Sequence, residues 1–292
     1  MEVFPKSEGI SSLNGVERVG EDRIRTGGAS GLGAALATKL VEAGAEVWIA
    51  DRQVGPAEEL AQRLSSGGGK AHATEFDVRS YPAFKRAVEE TVRQSGRIDY
   101  LFNNAGIAVR GEIDSYTLDD WNDAFEVNLR GVVDGIHAVY PLMIRQHSGH
   151  IVNTASIAGL VTMPSQGSYT ATKHAVVAIS KTLRVEAKRH GVQVSVLCPG
   201  VIRTPILTGG KYGRITTSGV SDEKLLQKPF RPMAPELFAE HALRAVLRGG
   251  AIIVVPAWWK AFWYLERLSP ALSMRVAKIT LKRMRELAPT AS

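Results

Sequence analysis

The sequence has 292 residues, of which 45% are hydrophobic and 22% are charged, a balance that excludes a disordered chain and is typical of a globular protein. The formal net charge is +7, and residues 257–292 supply +5 of it, from seven Lys or Arg against two Glu. The rest of the chain, residues 1–256, is nearly neutral, which excludes a nucleic-acid-binding protein whose whole surface is basic.

Cysteine content and apolar patterning predict the compartment. The only cysteine, Cys198, excludes an internal disulfide, fits a reducing cytosol and lies in an apolar run typical of a core. Residues 1–20 have neither hydrophobic periodicity nor the apolar core of a signal peptide, and no apolar run is long enough to span a bilayer. We therefore expect a cytoplasmic protein whose residues 1–20 form a loose arm.

The first motif is T-G-G-A-S-G-L-G over residues 26–33, followed by an Ala/Leu-rich run, residues 34–43, that predicts a helix. Glycines allow a tight turn and let backbone N–H groups approach a pyrophosphate at the helix N-terminus, where the helix dipole favours anions. The motif therefore predicts a dinucleotide site. Its members are Gly27, Ser30, Gly31, Leu32 and Gly33.

An acidic residue closes the next predicted strand, residues 45–50. Asp51 follows the glycines by about 20 residues, where a carboxylate accepts hydrogen bonds from the adenosine ribose and repels a 2′-phosphate. The sequence therefore favours NAD over NADP. Arg52 keeps NADP open as the alternative, because its guanidinium would pair with a phosphate if Asp51 turned away.

Helix and strand patterns then alternate as far as a second motif. The predicted helices are 56–64 and 81–94, and the predicted strands are 71–76 and 98–102. Asp77 and Val78 follow the first of these strands, and N-N-A-G follows the second, over residues 103–106. We expect the asparagines to bond backbone groups and the glycine to permit a close approach.

A long helix is predicted over residues 118–146. Asn128 and Gly131 both weaken a plain helix. We therefore expect a local feature at Asn128 that goes beyond simple packing.

Residues 156–173 carry the side chains for proton transfer. Ser156 follows an apolar strand predicted over 150–154, and Tyr169 and Lys173 lie four residues apart, one turn apart on one helix face. Tyrosine has a pKa of about 10 and is a poor base near neutral pH. A lysine ammonium one turn away favours the phenolate and lowers that pKa, which suits tyrosine to proton transfer. Ser156 would hold the reacting carbonyl or hydroxyl oxygen.

The remaining elements complete an α/β pattern. The helix continues to about residue 190, strand 192–197 runs into C-P-G-V-I-R-T, and residues 205–233 are predicted to form a substrate lid. A helix over 236–247 and a strand over 251–255 follow. This alternation predicts a single-domain, Rossmann-type, doubly wound parallel sheet with helices on both faces and ligands at the carboxyl ends of the strands.

Five motifs, in order, resemble the classical short-chain dehydrogenase/reductase family. They are T-G-x3-G-x-G, N-N-A-G, the asparagine of the long helix, Ser-x12-Tyr-x3-Lys and P-G-x3-T, and the resemblance covers residues 26–255. It implies that Tyr169 is the general acid and base and that Lys173 lowers its pKa and binds the nicotinamide ribose. It also implies that Ser156 stabilises the substrate oxygen and that Asn128 holds a proton-relay water.

The same resemblance implies a cofactor site. Asp77 and Val78 contact the adenine, N-N-A-G lies against the cofactor, and P-G-x3-T meets the nicotinamide carboxamide. The residues implied to bind NAD are Gly27, Ser30, Gly31, Leu32, Gly33, Asp51, Arg52, Asp77, Val78, Asn104, Ala105, Gly106, Tyr169, Lys173, Pro199, Gly200, Ile202 and Thr204. No metal site is predicted, because there is no H-E-x-x-H motif and no cysteine pair.

Residues 1–25, which we assign to an N-terminal arm and first strand, depart from the family pattern. The first strand should be apolar and buried on both faces, but residues 20–25 read G-E-D-R-I-R, and four charges are costly to bury. One interpretation is an aberrant N-terminus, from a frame error or a divergent start, that weakens the strand and cofactor binding. The other is a strand that forms while its charged side chains escape at the ends.

Residues 256–292 form an aromatic and basic extension. Residues 256–265 contain three of the five tryptophans, and a basic run that predicts a helix continues to residue 287. The interpretations are a helix packed on its own subunit or on a neighbour, a cover for a hydrophobic substrate pocket, or peripheral contact of 257–292 with an anionic membrane.

Together the motifs predict an NAD-dependent oxidoreductase that interconverts a secondary alcohol and a ketone by direct hydride transfer. The alternatives are an NADP-dependent carbonyl or 3-oxoacyl-thioester reductase and a non-catalytic dinucleotide-binding relative. The aromatic tail and the apolar residues 160–164 suggest a lipophilic substrate, such as a steroid, a retinoid or a long-chain alcohol. Apolar helix faces around Asn128 and Tyr169 resemble those through which the family dimerises or tetramerises, and no nucleic-acid partner is expected.

Overall fold

A single seven-stranded sheet organises the part of the chain that the structure, a computed structural model, describes: residues 22–209, 213–214 and 232–287. All neighbouring strands are parallel, in the order β3-β2-β1-β4-β5-β6-β7. The strands are β1 (Asp22–Thr26), β2 (Glu46–Asp51), β3 (Lys70–Glu75), β4 (Tyr100–Asn103), β5 (Gly149–Thr154), β6 (Val192–Pro199) and β7 (Ile252–Val255). The α-helices are α1 (Gly31–Glu42), α2 (Val54–Ser66), α3 (Tyr81–Ser95), α4 (Leu118–Phe125), α5 (Gly131–Gln146), α6 (Gly167–Ala187), α7 (Pro235–Leu247), α8 (Lys260–Leu268) and α9 (Pro270–Leu287).

Helices cover both faces of this sheet. Leu36 of α1 and Phe238 of α7 are fully buried on one face, and Phe84 of α3 and Met143 of α5 are fully buried on the other. Strands covered on both faces are almost continuously apolar, which explains why β2, β5 and β6 are buried along nearly their whole length. The predicted doubly wound α/β fold is therefore confirmed. α1 begins at Gly31, inside the glycine motif, rather than at residue 34 as predicted.

The charged first strand forms at the centre of the sheet. The backbone of β1 pairs with β2 on one side and with β4 on the other. Of the two interpretations of residues 20–25, the structure therefore supports a strand that forms. Residues 1–21 lie outside the described residues, and a weakening effect of the charges on stability stays a prediction.

The predicted long helix is interrupted at Asn128. α4 begins with a capping box, in which the Thr117 and Asp120 side chains each accept a backbone N–H of the other residue. A π-helical turn, Glu126–Arg130, separates α4 from α5, and such turns insert an extra residue into a helix, frequently at functional sites. The local feature predicted at Asn128 is therefore confirmed.

The C-terminal extension packs on its own subunit. Trp259 is buried so closely against Gly200 that a Cβ atom at Gly200 would lie 2.0 Å from the Trp259 Nε1 atom. Glu266 of α8 accepts a hydrogen bond from the Thr162 backbone N–H at 3.2 Å, and Arg285 of α9 donates to Glu112 at 2.8 Å. None of the described helices is both long and apolar enough to cross a membrane. Most of the predicted lid, residues 205–233, lies outside the described residues.

Candidate active site

A cavity of about 220 Å³ lies at the carboxyl ends of the strands, on both sides of the point where the strand order reverses between β1 and β4. All of the residues predicted to bind the cofactor line this cavity except Gly33. Of the four predicted catalytic residues, Ser156, Tyr169 and Lys173 line it and Asn128 lies behind it. Residues from at least five separate segments of the chain therefore meet at one place.

One side of the cavity, which we call the glycine wall, consists of residues 27–33, Asp51 and residues 104–106. Gly27 has a φ of +61°, and a Cβ atom there would lie 2.7 Å from the Ala105 Cα atom. A Cβ atom at Gly33 would lie 1.9 Å from the Gly27 carbonyl oxygen, which accepts a hydrogen bond from the Asn104 side chain at 3.1 Å. Gly33 therefore holds the turn together from behind, which explains why it does not line the cavity. The missing Cβ atoms leave the open backbone cradle that a dinucleotide pyrophosphate requires.

Asp51 is fixed against the glycine turn. Its carboxylate accepts hydrogen bonds from the backbone N–H groups of Ala29 and Gln53, both at 3.0 Å, and its side chain is buried. The carboxylate thus stands at the end of β2 beside the turn, where the ribose of a bound dinucleotide would lie. Asp77, at the same edge, accepts hydrogen bonds from the Arg79 guanidinium, which hold the pKa of this carboxyl below its ordinary value.

Asn128 ties the π-helical turn to the strand-end loop after β4. Its side-chain oxygen accepts from the Ile107 backbone N–H at 2.8 Å, and its side-chain nitrogen donates to the Ile107 carbonyl at 2.9 Å. The same nitrogen lies 3.3 Å from the Thr172 hydroxyl oxygen on α6. The side chain is fully buried, so Asn128 fixes the loop that contains Gly106 and supports the helix that carries Lys173.

Ser156, Tyr169 and Lys173 meet where β5 and α6 face the cavity. The Lys173 ammonium donates to the Thr154 carbonyl at 2.9 Å and lies 5.6 Å from the centre of the Tyr169 ring. Burial lowers the pKa of Lys173 to about 8. The Ser156 hydroxyl accepts from the Ala158 backbone N–H at 3.1 Å, which fixes the serine at the start of the turn after β5.

The pKa of Tyr169 differs in direction from the expectation for the sequence. Burial of the phenol raises this pKa, and the hydrogen bond with Ser156 and the charge of Arg110 oppose the rise. The Lys173 ammonium donates its hydrogen bond to the Thr154 carbonyl rather than to the phenol. Ser156 and Arg110 are therefore the groups that favour the phenolate in this structure.

A second group of residues that line the cavity, which we call the Arg110 wall, lies outside the predicted catalytic and cofactor residues. It is formed by Arg110, Ile157, Met163, Gln166 and Leu207. Gly111 forms a backbone bridge with Gln166, which brings two segments together that are far apart in the sequence. Met163 lies in the apolar run 160–164 from which a lipophilic substrate was inferred, and Leu207 lies in the predicted substrate lid. Arg110, Ile157 and Gln166 were not predicted as site residues.

The glycine cradle, the carboxylate at the end of β2 and the lysine beside the tyrosine fit a nicotinamide dinucleotide. The sequence matches the short chain dehydrogenase family over residues 24–211. It is 36% identical over 186 residues to an uncharacterised oxidoreductase of Listeria innocua, covering 63% of this chain and 75% of the relative. It is 36% identical over 181 residues to a cyclopentanol dehydrogenase of Comamonas, covering 62% of this chain and 72% of that enzyme.

Solved structures show the same likeness over more of the chain. A short-chain dehydrogenase/reductase from Burkholderia phymatum, in complex with NAD, superposes with a TM-score of 0.79 at 28% identity, covering 87% of this chain and 95% of that one. Levodione reductase superposes with a TM-score of 0.72 at 27% identity, covering 80% and 95%.

Proposed function

This chain belongs to the short-chain dehydrogenase family of oxidoreductases that act on CH–OH groups, and from that premise we propose that it uses NAD to interconvert a lipophilic secondary alcohol and its ketone. One observation carries the proposal. Tyr169, Lys173 and Ser156 line the same cavity as the glycine wall with its buried Asp51. An acid–base group and a dinucleotide cradle that share a cavity are what direct hydride transfer requires, because the enzyme mainly orients the two reactants.

Each of the four predicted catalytic residues has a role in this proposal. Tyr169 takes the hydroxyl proton of the alcohol, and Ser156 holds the same oxygen by a hydrogen bond. Lys173 holds the nicotinamide ribose and provides a positive charge beside the phenol. Asn128 keeps the loop after β4 in position for a proton-relay water. Bound NAD supplies the ring carbon that accepts the hydride.

Replacement of Tyr169 by phenylalanine tests these roles. We expect Tyr169→Phe to lower kcat by about a hundredfold to ten-thousandfold, the range typical of a general acid–base group, and to leave NADH binding intact. Tyr140→Phe is the matched control, since Tyr140 packs against His190 outside the cavity. Turnover retained in Tyr169→Phe would contradict the assignment.

The preference for NAD rests on Asp51. Its carboxylate stands beside the glycine turn, where a 2′-phosphate would meet a negative charge at short range. Fluorescence titrations with NADH and NADPH test this preference directly. Tighter binding of NADH supports the proposal, tighter binding of NADPH supports a reductase with Arg52 on the phosphate, and binding of neither supports a non-catalytic relative.

A lipophilic substrate is supported by the apolar side chains of the Arg110 wall. Ile157, Met163 and Leu207 line the cavity next to Tyr169. Similarity to a cyclopentanol dehydrogenase supports a secondary alcohol as the reacting group. A series of secondary alcohols of increasing apolar size, assayed with NAD, should show kcat/KM rising with size until the cavity is filled.

We further propose that the enzyme is a homodimer or homotetramer in the cytoplasm. Leu118 and Phe125 of α4 and Val185 of α6 are exposed, and apolar side chains on neighbouring helix faces favour self-association. Light scattering of the purified protein measures the mass. A monomer at all concentrations would contradict this proposal.

Peripheral contact with an anionic membrane is proposed for α8 and α9. The exposed apolar residues there are Tyr264, Leu268, Leu272, Met274 and Ile279, and the exposed basic ones are Lys260, Arg267, Arg275, Lys278, Lys282, Arg283 and Arg285. Apolar and basic side chains interleaved on helix surfaces favour the interface of an anionic bilayer.

Partition into vesicles that contain anionic lipid tests this contact. We expect partition to fall in Leu268→Ser combined with Lys278→Gln, and to weaken with salt. Leu237→Ser is the control, because Leu237 is exposed on α7, outside the extension. Equal partition of both variants and the unmodified protein would reject the membrane contact.

A further inference from the structure

Three hydrogen bonds in series connect the lysine of the site to the glycine turn. The Lys173 ammonium donates to the Thr154 carbonyl at 2.9 Å, and the Thr154 hydroxyl donates to the Asn104 side-chain oxygen at 3.2 Å. The Asn104 side-chain nitrogen donates to the Gly27 carbonyl at 3.1 Å. We call this series the Thr154 link. Thr154 takes part in it with both its carbonyl and its hydroxyl, so it joins the proton-transfer group to the cofactor cradle.

The position of Thr154 at the end of β5 explains why its carbonyl is available to the lysine. β4 ends at Asn103, and its ladder with β5 stops one residue before Thr154. The next N–H, of Ala155, still donates to the Leu197 carbonyl of β6 at 2.8 Å. The C=O and N–H of one trans peptide unit point in opposite directions, so the Thr154 carbonyl faces the side on which β4 has ended. There it accepts from Lys173 instead of from a strand.

The chemistry of the three groups fixes the direction of the Thr154 link. The Gly27 carbonyl can only accept, so the Asn104 amide turns its nitrogen toward Gly27 and its oxygen toward Thr154. The Thr154 hydroxyl must then donate to that oxygen. Thr154 is buried and Asn104 is half-buried, and a polar group that loses its partner away from water destabilises the arrangement that holds it.

The lysine end of the Thr154 link lies in a confined space. A Cβ atom at Gly106 would lie 3.4 Å from the Lys173 Nζ atom and 3.3 Å from the Asn128 side-chain oxygen. Because burial lowers the pKa of Lys173 to about 8, a carbonyl at hydrogen-bond distance favours the charged form of this group. The place of the Thr154 carbonyl therefore matters for both the position and the charge of the lysine.

We propose that Thr154 is a positioning residue, which holds the Lys173 ammonium and the glycine turn in one geometry. The proposal rests on the proposed function and adds to it a residue that acts through Lys173 and Asn104. Thr154 exchanges no proton with the substrate. Its carbonyl sets the place of the ammonium, and its hydroxyl ties that carbonyl to the loop behind the cofactor cradle. Loss of the hydroxyl should therefore weaken cofactor binding and catalysis together.

Thr154→Val tests the proposal, because it removes the hydroxyl and keeps the size, the branched side chain and the backbone carbonyl. One hydrogen bond contributes roughly a twofold to tenfold change in an equilibrium constant, so we expect the Kd for NADH to rise by this factor. We expect kcat to fall by about tenfold, because a small displacement of a positioned group is costly in catalysis. Thr154→Ser keeps the hydroxyl and should restore both values, although it loses a methyl group from a buried position.

A double-mutant cycle shows whether Thr154 acts through Asn104. Asn104→Ala already removes both hydrogen bonds of the amide, so adding Thr154→Val to it should raise the Kd for NADH by less than about twofold further. Fluorescence titration of the four proteins with NADH gives the cycle without any turnover. Independent, additive effects of the two substitutions would overturn the Thr154 link.

Thr91 provides a matched control for the loss of a buried threonine hydroxyl. It is buried on α3, outside the cavity, and its hydroxyl donates to the Ala87 carbonyl at 2.9 Å. Thr91→Val should leave kcat and NADH affinity unchanged, whatever its melting temperature. In the Thr154 variants, activity should follow the presence of the hydroxyl. If activity followed the melting temperature in all these variants, Thr154 would have a structural role alone, and the proposal would be overturned.

The remaining outcomes separate this proposal from the proposed function. Unchanged NADH affinity in Thr154→Val would overturn the Thr154 link and leave the dehydrogenase standing. A loss of NADH affinity with an unchanged kcat would overturn the connection to Lys173. If the unmodified protein binds NADH but oxidises no secondary alcohol, the proposed reaction falls, and the NADH cycle alone supports or overturns the Thr154 link. If it does not bind NADH, both proposals fall.

Discussion

The two sides of the cavity are built from different parts of the polypeptide. The glycine wall consists mainly of backbone and short side chains, and its atoms approach so closely that a Cβ atom at Gly33 would lie 1.9 Å from a carbonyl oxygen. The Arg110 wall consists of long or apolar side chains on loops, such as Arg110, Met163 and Leu207. A wall made of backbone tolerates almost no substitution, whereas a wall made of side chains changes its shape and charge with each replacement. The difference suits one wall to a constant ligand and the other to a variable one.

After Tyr169, the largest effect is expected at Lys173, which lines the cavity beside Tyr169. We expect Lys173→Met to lower kcat by about a thousandfold, because the positive charge beside Tyr169 and the hydrogen bond to the Thr154 carbonyl are both lost. Steady-state kinetics measure the loss. A kcat within about tenfold of that of the unmodified enzyme would show that Lys173 is not needed for catalysis.

The same substitution should stabilise the protein near neutral pH. Burial lowers the pKa of Lys173 from 10.5 to about 8, so the folded state binds fewer protons than the unfolded state between these values. Burial of this ammonium therefore lowers the free energy of unfolding by its full amount below about pH 8. The effect disappears as the pH rises through 10.5. Removing it should raise the free energy of unfolding at pH 7 by up to roughly 3 kcal/mol, less the lost hydrogen bond. Urea denaturation at pH 7 and pH 10 measures this gain, which should be smaller at pH 10.

A substitution in the glycine wall comes next. Gly33→Ala should weaken NADH binding by about a hundredfold or more and lower the melting temperature, because the new methyl group collides with the Gly27 carbonyl. Gly55→Ala is the matched control, since a Cβ atom there meets nothing within 4 Å and an alanine favours helix α2. If Gly33→Ala bound NADH normally, the contrast between the two walls would fail.

A smaller effect, on cofactor preference, is expected at Asp51, whose side chain is part of the glycine wall. Asp51→Asn should reduce the preference for NADH over NADPH by about tenfold, because the negative charge that repels a 2′-phosphate is removed while the side-chain shape is kept. Paired NADH and NADPH titrations give the ratio. An unchanged ratio would assign the preference to another residue.

The smallest effect is expected behind the Arg110 wall. Glu266 of α8 accepts from the Thr162 backbone N–H, and Thr162 precedes Met163 of the wall. Glu266→Gln keeps an acceptor but loses the charge, so we expect KM for the alcohol to rise by about twofold to threefold with kcat and NADH binding unchanged. A fall in NADH affinity instead would show that α8 supports the glycine wall.

The features that could be predicted from the sequence belong mainly to the sheet and the glycine wall. The alternation of strands and helices identified the doubly wound sheet, and the glycine spacing identified a turn whose geometry only residues without a Cβ atom can adopt. The interruption at Asn128 was also predictable, because asparagine and glycine weaken a helix. These features depend on local backbone chemistry, which short stretches of sequence express directly.

The rest depends on contacts between distant segments. Arg110 and Gln166 line one cavity because the bridge between Gly111 and Gln166 joins their two loops. Trp259 reaches Gly200 only after the sheet is complete. The raised pKa of Tyr169 depends on how deeply the phenol is buried, whereas the spacing to Lys173 alone predicted a lowered one. Burial and long-range pairing are properties of the assembled fold, and no local pattern encodes them.

The strand order also sets a sequence of events for folding. β5, β6 and β7 each pair with the strand that precedes them in the chain, so this half of the sheet can grow in the order in which it is synthesised. β1 must instead pair with β4, closing a loop of some 75 residues between Arg23 and Tyr100. Such closure is slow relative to local pairing. The glycine turn lies near the start of the chain, yet its strand gains its second neighbour only when the chain has reached residues 100–103.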